Sequence, residues 1–185
     1  MSGRTFEPFK ILRTLVDHDV RFVVIGGFGA GLRGSPALTG DLDVCYDRRR
    51  DNLDKLEGAL KGLHPTLRVA NQAEGIPFPL DAQAMLLGGT FTLWTDLGPL
   101  DILAIPSGTG GYDDLAAGAD QMDVGDGLLI WVASIDDLIR MKTAAARPKD
   151  QLHIGLLKAV REEVDRAGGG EDGRGLDRRD PPPAT

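Results

Sequence analysis

Residues 23–47 read VVIGGFGAGLRGSPALTGDLDVCYD, and the changes of texture inside that stretch decide the fold. The β-branched run ending at Ile25 has the composition of a buried strand, and Gly26-Gly27 stops it in a tight turn. Small residues follow, opening a short helix over 28–32 that closes at Gly34-Ser35-Pro36. Leu42–Tyr46 is then a second apolar strand, ended by Asp47 as its turn residue. Side chains alternate between the faces of an extended segment, so Asp41 and Asp43 project to one side of it.

Working outward, residues 6–19 place Phe9, Leu12, Leu15 and Val16 at helical spacing, and 52–63 do the same with Leu53, Leu56 and Leu60. Residues 66–90 resist assignment, because Pro77, Pro79 and Gly88-Gly89 interrupt any long element. Residues 91–95 alternate, turn at Asp96-Leu97-Gly98, and continue as a strand over 100–105, which predicts a hairpin. Residues 122–124 and 128–132 flank Gly125-Asp126-Gly127 and predict a second one. Ser134 is an N-cap followed by Asp136 and Asp137, opening a helix to about residue 146. Asp113-Asp114 likewise read as first-turn acids. Pro148 opens a last helix to about 166. The fold class is therefore α/β (α+β): a mixed sheet of about five strands flanked by helices, with two C-terminal helices. Residues 1–166 form one domain, and 167–185, rich in Gly, Pro and charge, read as a disordered tail.

With 42% hydrophobic residues in 185, the chain is long enough for a real core. No apolar run approaches the roughly 20 residues of a membrane span, and MSGRTFEPFK lacks a signal-peptide apolar region. A single cysteine, Cys45 in an apolar strand, excludes an internal disulfide and points to a reducing cytoplasm. The net charge of −7 argues against broad nucleic-acid binding. Arg140, Lys142, Arg147 and Lys149 nonetheless form a local basic cluster, of the kind that is usually a solvated face. His18, His64 and His153 are isolated and read as exposed or capping residues. Trp94 and Trp131 fall in strands, as core or rim.

Glycines allow close approach of backbone to phosphate. Carboxylates at i and i+2 of a strand can bridge divalent ions. A third carboxylate from a neighbouring strand would complete a two-metal site, and Asp101, embedded in the apolar 100–105 run, is the candidate. Spacing alone leaves Asp101 equally readable as a strand-edge residue after the turn at Gly98-Pro99.

Ile25-Gly26-Gly27, thirteen residues, then Asp41-Leu42-Asp43 resembles the signature of the DNA polymerase β-like nucleotidyltransferase superfamily. The stretch is similar to small bacterial members reading GG-x-A-x-x-x-x-G-x-P-R-x-T-x-D-h-D. Residues 135–150, IDDLIRMKTAAARPKD, resemble their L-x-x-L-I-x-x-K-x-x-A-x-R-x-K-D segment. The resemblance covers roughly residues 20–157. It implies a nucleotidyltransferase-like sheet and a nucleoside triphosphate substrate handled with two Mg²⁺. Asp41, Asp43 and Asp101 would be the metal ligands, with Asp101 also a general base. Gly26, Gly27, Thr39, Lys142 and Asp150 would contact or orient the nucleotide. Some of these relatives are toxins of toxin–antitoxin and abortive-infection systems that modify tRNA. That context implies a tRNA 3′ end as acceptor and a cognate antitoxin as partner. Two alternatives keep the fold: a non-catalytic nucleotide-binding or interaction module, and an enzyme acting on a small molecule such as an aminoglycoside. The departure from the pattern is Ala37, where these relatives commonly carry Arg, so that Arg33 or Lys142 would have to serve instead.

Overall fold

The computed structural model describes residues 5–148 and 150–168. Lys149 and residues 169–185 of the expected tail lie outside the described residues, while its first two positions, 167 and 168, end the last helix. In chain order the elements are α1 (Pro8–Asp17), β1 (Phe22–Ile25), α2 (Gly26–Leu32), β2 (Leu42–Tyr46), α3 (Arg50–Lys61), β3 (Thr66–Val69) and β4 (Gln72–Pro77). Then follow α4 (Ala82–Leu87), β5 (Thr90–Thr95), β6 (Gly98–Leu103), α5 (Tyr112–Gly118), β7 (Asp120–Asp123), β8 (Leu129–Val132), α6 (Ile135–Ala145) and α7 (Asp150–Gly168). The described residues thus hold eight strands rather than about five. The additions are the β3–β4 hairpin and α4 in the stretch that resisted assignment; β7 and β8 form the second hairpin that the sequence predicts.

The strands form one mixed sheet in the order β4-β3-β5-β6-β2-β1-β8-β7. β2 runs antiparallel to β1 and parallel to β6, while β1 runs parallel to β8. The period-2 alternation of β1, β2 and β6 sorts two cores. Phe22, Val24, Leu42, Val44, Tyr46, Leu100 and Ile102 face α1, α3 and α4 in the larger one. Val23, Ile25 and Cys45 face α2, α5, α6 and α7 in the smaller. Cys45 is fully buried there, as expected of strand filler. Asp43 and Asp101 occupy the second face by the same alternation, so the carboxylates lie on the side of the sheet with the smaller core.

A buried polar clasp fixes the open end of β1–β2. Asn52 is fully buried. Its Oδ1 accepts from the Arg21 backbone N–H at 2.6 Å, and its Nδ2 donates to the Arg21 and Asp47 carbonyls at 3.1 and 2.8 Å. The Arg21 guanidinium donates to Asp47 at 2.6 Å. Removing Asn52 strands the Arg21 N–H and the Asp47 carbonyl, each costly to leave unpaired, while the Arg21 carbonyl keeps the Asp47 N–H at 3.1 Å. Asn52→Ala is expected to lower the unfolding free energy by about 2–4 kcal/mol in urea denaturation; a loss below about 0.5 kcal/mol would show that water replaces the amide.

Among the described residues no helix is long and apolar enough to cross a membrane. Ser134 caps α6 by accepting from the Asp137 N–H, and Ala146 ends it in the left-handed region with φ 50°.

Candidate functional site

The glycine turn is shaped around a carboxylate. Gly26 has φ +66°, and a Cβ placed there would stand 2.0 Å from Asp43 Oδ2. At Gly27 a Cβ would stand 2.8 Å from Thr39 Oγ1. Thr39 in turn donates its hydroxyl to Asp41 Oδ1 at 2.8 Å, which holds that carboxylate at the mouth of β2. β2 and β6 pair in parallel with Asp43 directly beside Asp101. The three carboxylates therefore meet on one face, Asp43 from β2, Asp41 from the bend just before it and Asp101 from the neighbouring strand.

They line a cleft of about 560 Å³ that also contains Gly26, Gly27, Ala37, Thr39, Lys142 and Asp150. Every site residue singled out in the sequence thus borders one cavity, although residues 41 and 150 are more than a hundred positions apart. Asp101 faces the cleft; the strand-edge alternative does not describe its position.

The opposite wall comes from the α6–α7 junction. Asp150 is buried, with Oδ2 accepting from the backbone and side-chain N–H groups of Arg147 at 3.2 Å each. Its Oδ1 has no hydrogen-bond partner and lies 3.9 Å from Lys142 Nζ. Lys142 Nζ is 3.4 Å from His153 Nδ1. His153 is thus a half-buried wall residue and not an isolated exposed one, which corrects the sequence reading. Position i+3 from Asp150 on the same helix was the signal for it.

Crowded acids resist ionisation. Burial, then the neighbouring charges of Asp41 and Asp101, push Asp43 up to about 6, against the pull of Lys142 and Arg147. Asp101 also rises to about 6: its burial outweighs the Arg68 guanidinium beside it. Arg68 went unnoticed in the sequence. It reaches across from β3, and Nη2 donates to Asp101 at 2.6 and 2.8 Å and stands 4.0 Å from Asp41 Oδ2. Its guanidinium lies 5.5 Å from the Trp94 ring centroid.

Three carboxylates on one face are hard-oxygen donors of the kind Mg²⁺ prefers, and mutual repulsion that raises their pKa is what a divalent cation relieves. The donor set therefore fits the metal by chemistry. Among the described residues no three histidine, cysteine or acidic side chains already stand close enough to hold an ion, and Arg68 sits against two of these three acids.

Arg33 does not stand in for the arginine absent at residue 37. Its guanidinium donates to the Ala133 and Val132 carbonyls at 2.9 and 2.7 Å and to Asp120 at 2.7 Å, fastening α2 to the β8 edge. The basic cluster is likewise divided. Arg140 pairs with Asp114 and Asp137, whereas Lys142 and Arg147 turn into the cleft.

The eight-stranded mixed sheet with helices on both faces is a nucleotidyltransferase-like fold. Among solved structures, the chain is similar to the lincosamide antibiotic adenylyltransferase LnuA with lincomycin bound. The TM-score is 0.57 at 17% identity, over 85% of this chain and 99% of that one. It is also similar to ANT(2″)-Ia in complex with adenylyl-2″-tobramycin, with a TM-score of 0.52 at 15% identity, over 87% of this chain and 89% of that one. At these identities the likeness is one of fold. No family profile matches the sequence, and no curated protein matches it.

Proposed function

We propose that this chain is a metal-dependent nucleotidyltransferase that moves a nucleoside monophosphate from a nucleoside triphosphate to a hydroxyl of a small acceptor, releasing pyrophosphate. The observation that carries the reading is the in-register pair Asp43 and Asp101, with Asp41 beside them, on the floor of a cleft walled by Lys142 and Arg147. Anionic ligands for metal on one side and cations on the other match a triphosphate laid between them.

Asp41, Asp43 and Asp101 would hold two Mg²⁺, which when bound neutralise the phosphates and favour departure of pyrophosphate. The backbone at Gly26 and Gly27, bare of side chains, lets the phosphate tail approach the turn closely. Thr39 keeps Asp41 oriented through its hydroxyl. Lys142, steadied by Asp150 and His153, supplies a point charge to the leaving phosphates. Asp101 accepts the proton of the attacking hydroxyl at a carboxylate oxygen.

A small acceptor is favoured over an RNA end by the surroundings. The cleft volume lies in the range of small-molecule sites. The outer cation of the α6 cluster, Arg140, is already neutralised by two aspartates. The chain as a whole carries −7. The two neighbours, seen with lincomycin and with adenylyl-tobramycin, suggest hydroxylated antibiotics as the first acceptors to try. A tRNA 3′ end with a cognate antitoxin in the cytoplasm is the competing reading and draws on the sequence resemblance.

The test is incubation with each α-labelled nucleoside triphosphate, Mg²⁺, and either a panel of aminoglycosides and lincosamides or total RNA. Label on a small acceptor is the expected result. Label on RNA alone would move the acceptor to nucleic acid, and triphosphate binding without transfer to any class would make the chain a binding module.

A further inference from the structure

Arg68 lies where the strand register of β3 against β4 shifts, between Leu67 and Val69. Such irregularities re-aim side chains, and this one accompanies a guanidinium that reaches across β5 onto the carboxylate floor. One nitrogen, Nη2, serves both Asp101 and Asp41, two of the three acids assigned to the metal. A guanidinium and a divalent ion held on the same carboxylates repel each other in a half-buried site, so metal entry works against Arg68 in this position. Trp94 offers its ring as a platform from which the guanidinium can pivot while remaining in the cleft. The triphosphate gives it a new anion, in a cleft where Ala37 supplies no charge and Arg33 is committed elsewhere.

Resting on the nucleotidyl-transfer reading, we propose that Arg68 is an exchangeable internal cation: it neutralises Asp101 and Asp41 before the divalent ion arrives and passes to the triphosphate afterwards. Breaking the Arg68–Asp101 pair then opposes the binding of either ligand alone. Once one has bound, the pair is already broken and the second binds without that cost. Metal and nucleotide are thereby positively coupled, and linkage makes the coupling reciprocal. Arg68 is in this sense a positioning residue that times the filling of the site.

The test is Mn²⁺ binding by calorimetry, with and without a non-hydrolysable nucleoside triphosphate, on wild type, Arg68→Gln and Arg68→Lys. In the absence of nucleotide, Arg68→Gln is expected to bind Mn²⁺ about 5-fold or more tightly than wild type, the lower end of ordinary coupling. Arg68→Lys, which keeps a cation, should stay near wild type. The factor by which Mn²⁺ raises nucleotide affinity should shrink in Arg68→Gln. Unchanged or weaker Mn²⁺ binding by Arg68→Gln, beside a wild type that binds the ion, overturns the role of Arg68 alone. A wild type that binds no Mn²⁺ overturns the nucleotidyl-transfer reading, and this proposal with it. A second measurement needs no variant: Mg²⁺ added to nucleotide-free wild type should shift tryptophan emission as the guanidinium leaves the Trp94 ring. Unshifted emission in a protein that binds the ion counts against the exchange.

Discussion

Asp43→Asn is expected to abolish transfer and, at the same time, to make the metal-free protein more stable at pH 8. The carboxyl is held up at about 6 by burial and by Asp41 and Asp101, against 3.8 for an unperturbed aspartate. The folded state thus binds its proton more tightly than the unfolded state does. What this group contributes to stability is fully present below about pH 4 and is lost as pH rises through about 6. Above that range the native protein carries a buried anion among like charges, and the neutral, isosteric amide removes the penalty. The shift corresponds to about 1–3 kcal/mol, or a melting point higher by about 3–8 °C at this size. Calorimetry in EDTA at pH 8 should show the gain, and the two proteins should converge near pH 4. Transfer should fall by about a thousandfold or more, since the proposed function puts a divalent ion on this carboxylate and an amide would be a poor ligand for it. A variant that keeps its activity would remove Asp43 from the site. One that loses stability at pH 8 would show that the carboxylate is already neutralised in the resting protein.

That combination of frustrated stability and function explains which parts of the site could be read from the chain. The β1–α2–β2 unit was legible because its signals are local: a β-branched run, a glycine pair, and period-2 alternation that places Asp43 and Cys45 opposite Leu42 and Val44. Asp101 was only half legible. Its side of the sheet followed from alternation, but its place beside Asp43 depends on the parallel pairing of β2 with β6, a tertiary fact without a local signature. Arg68 was invisible for a stronger reason. It belongs to a hairpin hidden among prolines and glycines, and it reaches the acids across an intervening strand from a point of shifted register. The same hairpin supplies the two strands, β3 and β4, that the sequence did not reveal. In the basic cluster around Arg140 the resemblance already set Lys142 apart; helix geometry and the aspartates of α5 and α6 divide the rest between an ion-pair network and the cleft.

Gly26→Ala is expected to cost both fold and activity, and Gly31→Ala, in the same short helix, neither. At Gly26 two independent penalties coincide. The backbone sits at φ +66°, where an L side chain costs about 1–2 kcal/mol. The new methyl would also fall 2.0 Å from Asp43 Oδ2 and 2.6 Å from its Cγ, so either the strand or the carboxylate must move. Together these should lower the unfolding free energy by about 2–4 kcal/mol. If the carboxylate yields first, transfer is lost even in protein that remains folded. At Gly31 a Cβ meets nothing within 4 Å and φ is not positive, so alanine should be neutral or stabilising by up to about 1 kcal/mol through reduced backbone freedom in the unfolded chain. Urea titrations of both variants, with transfer measured below the transition, separate the two causes. Equal losses at Gly26 and Gly31 would mean that this helix merely tolerates no side chain. A loss confined to Gly26 would mean that the turn is built to the outline of the Asp43 carboxylate, and that the glycine is there because the acid is.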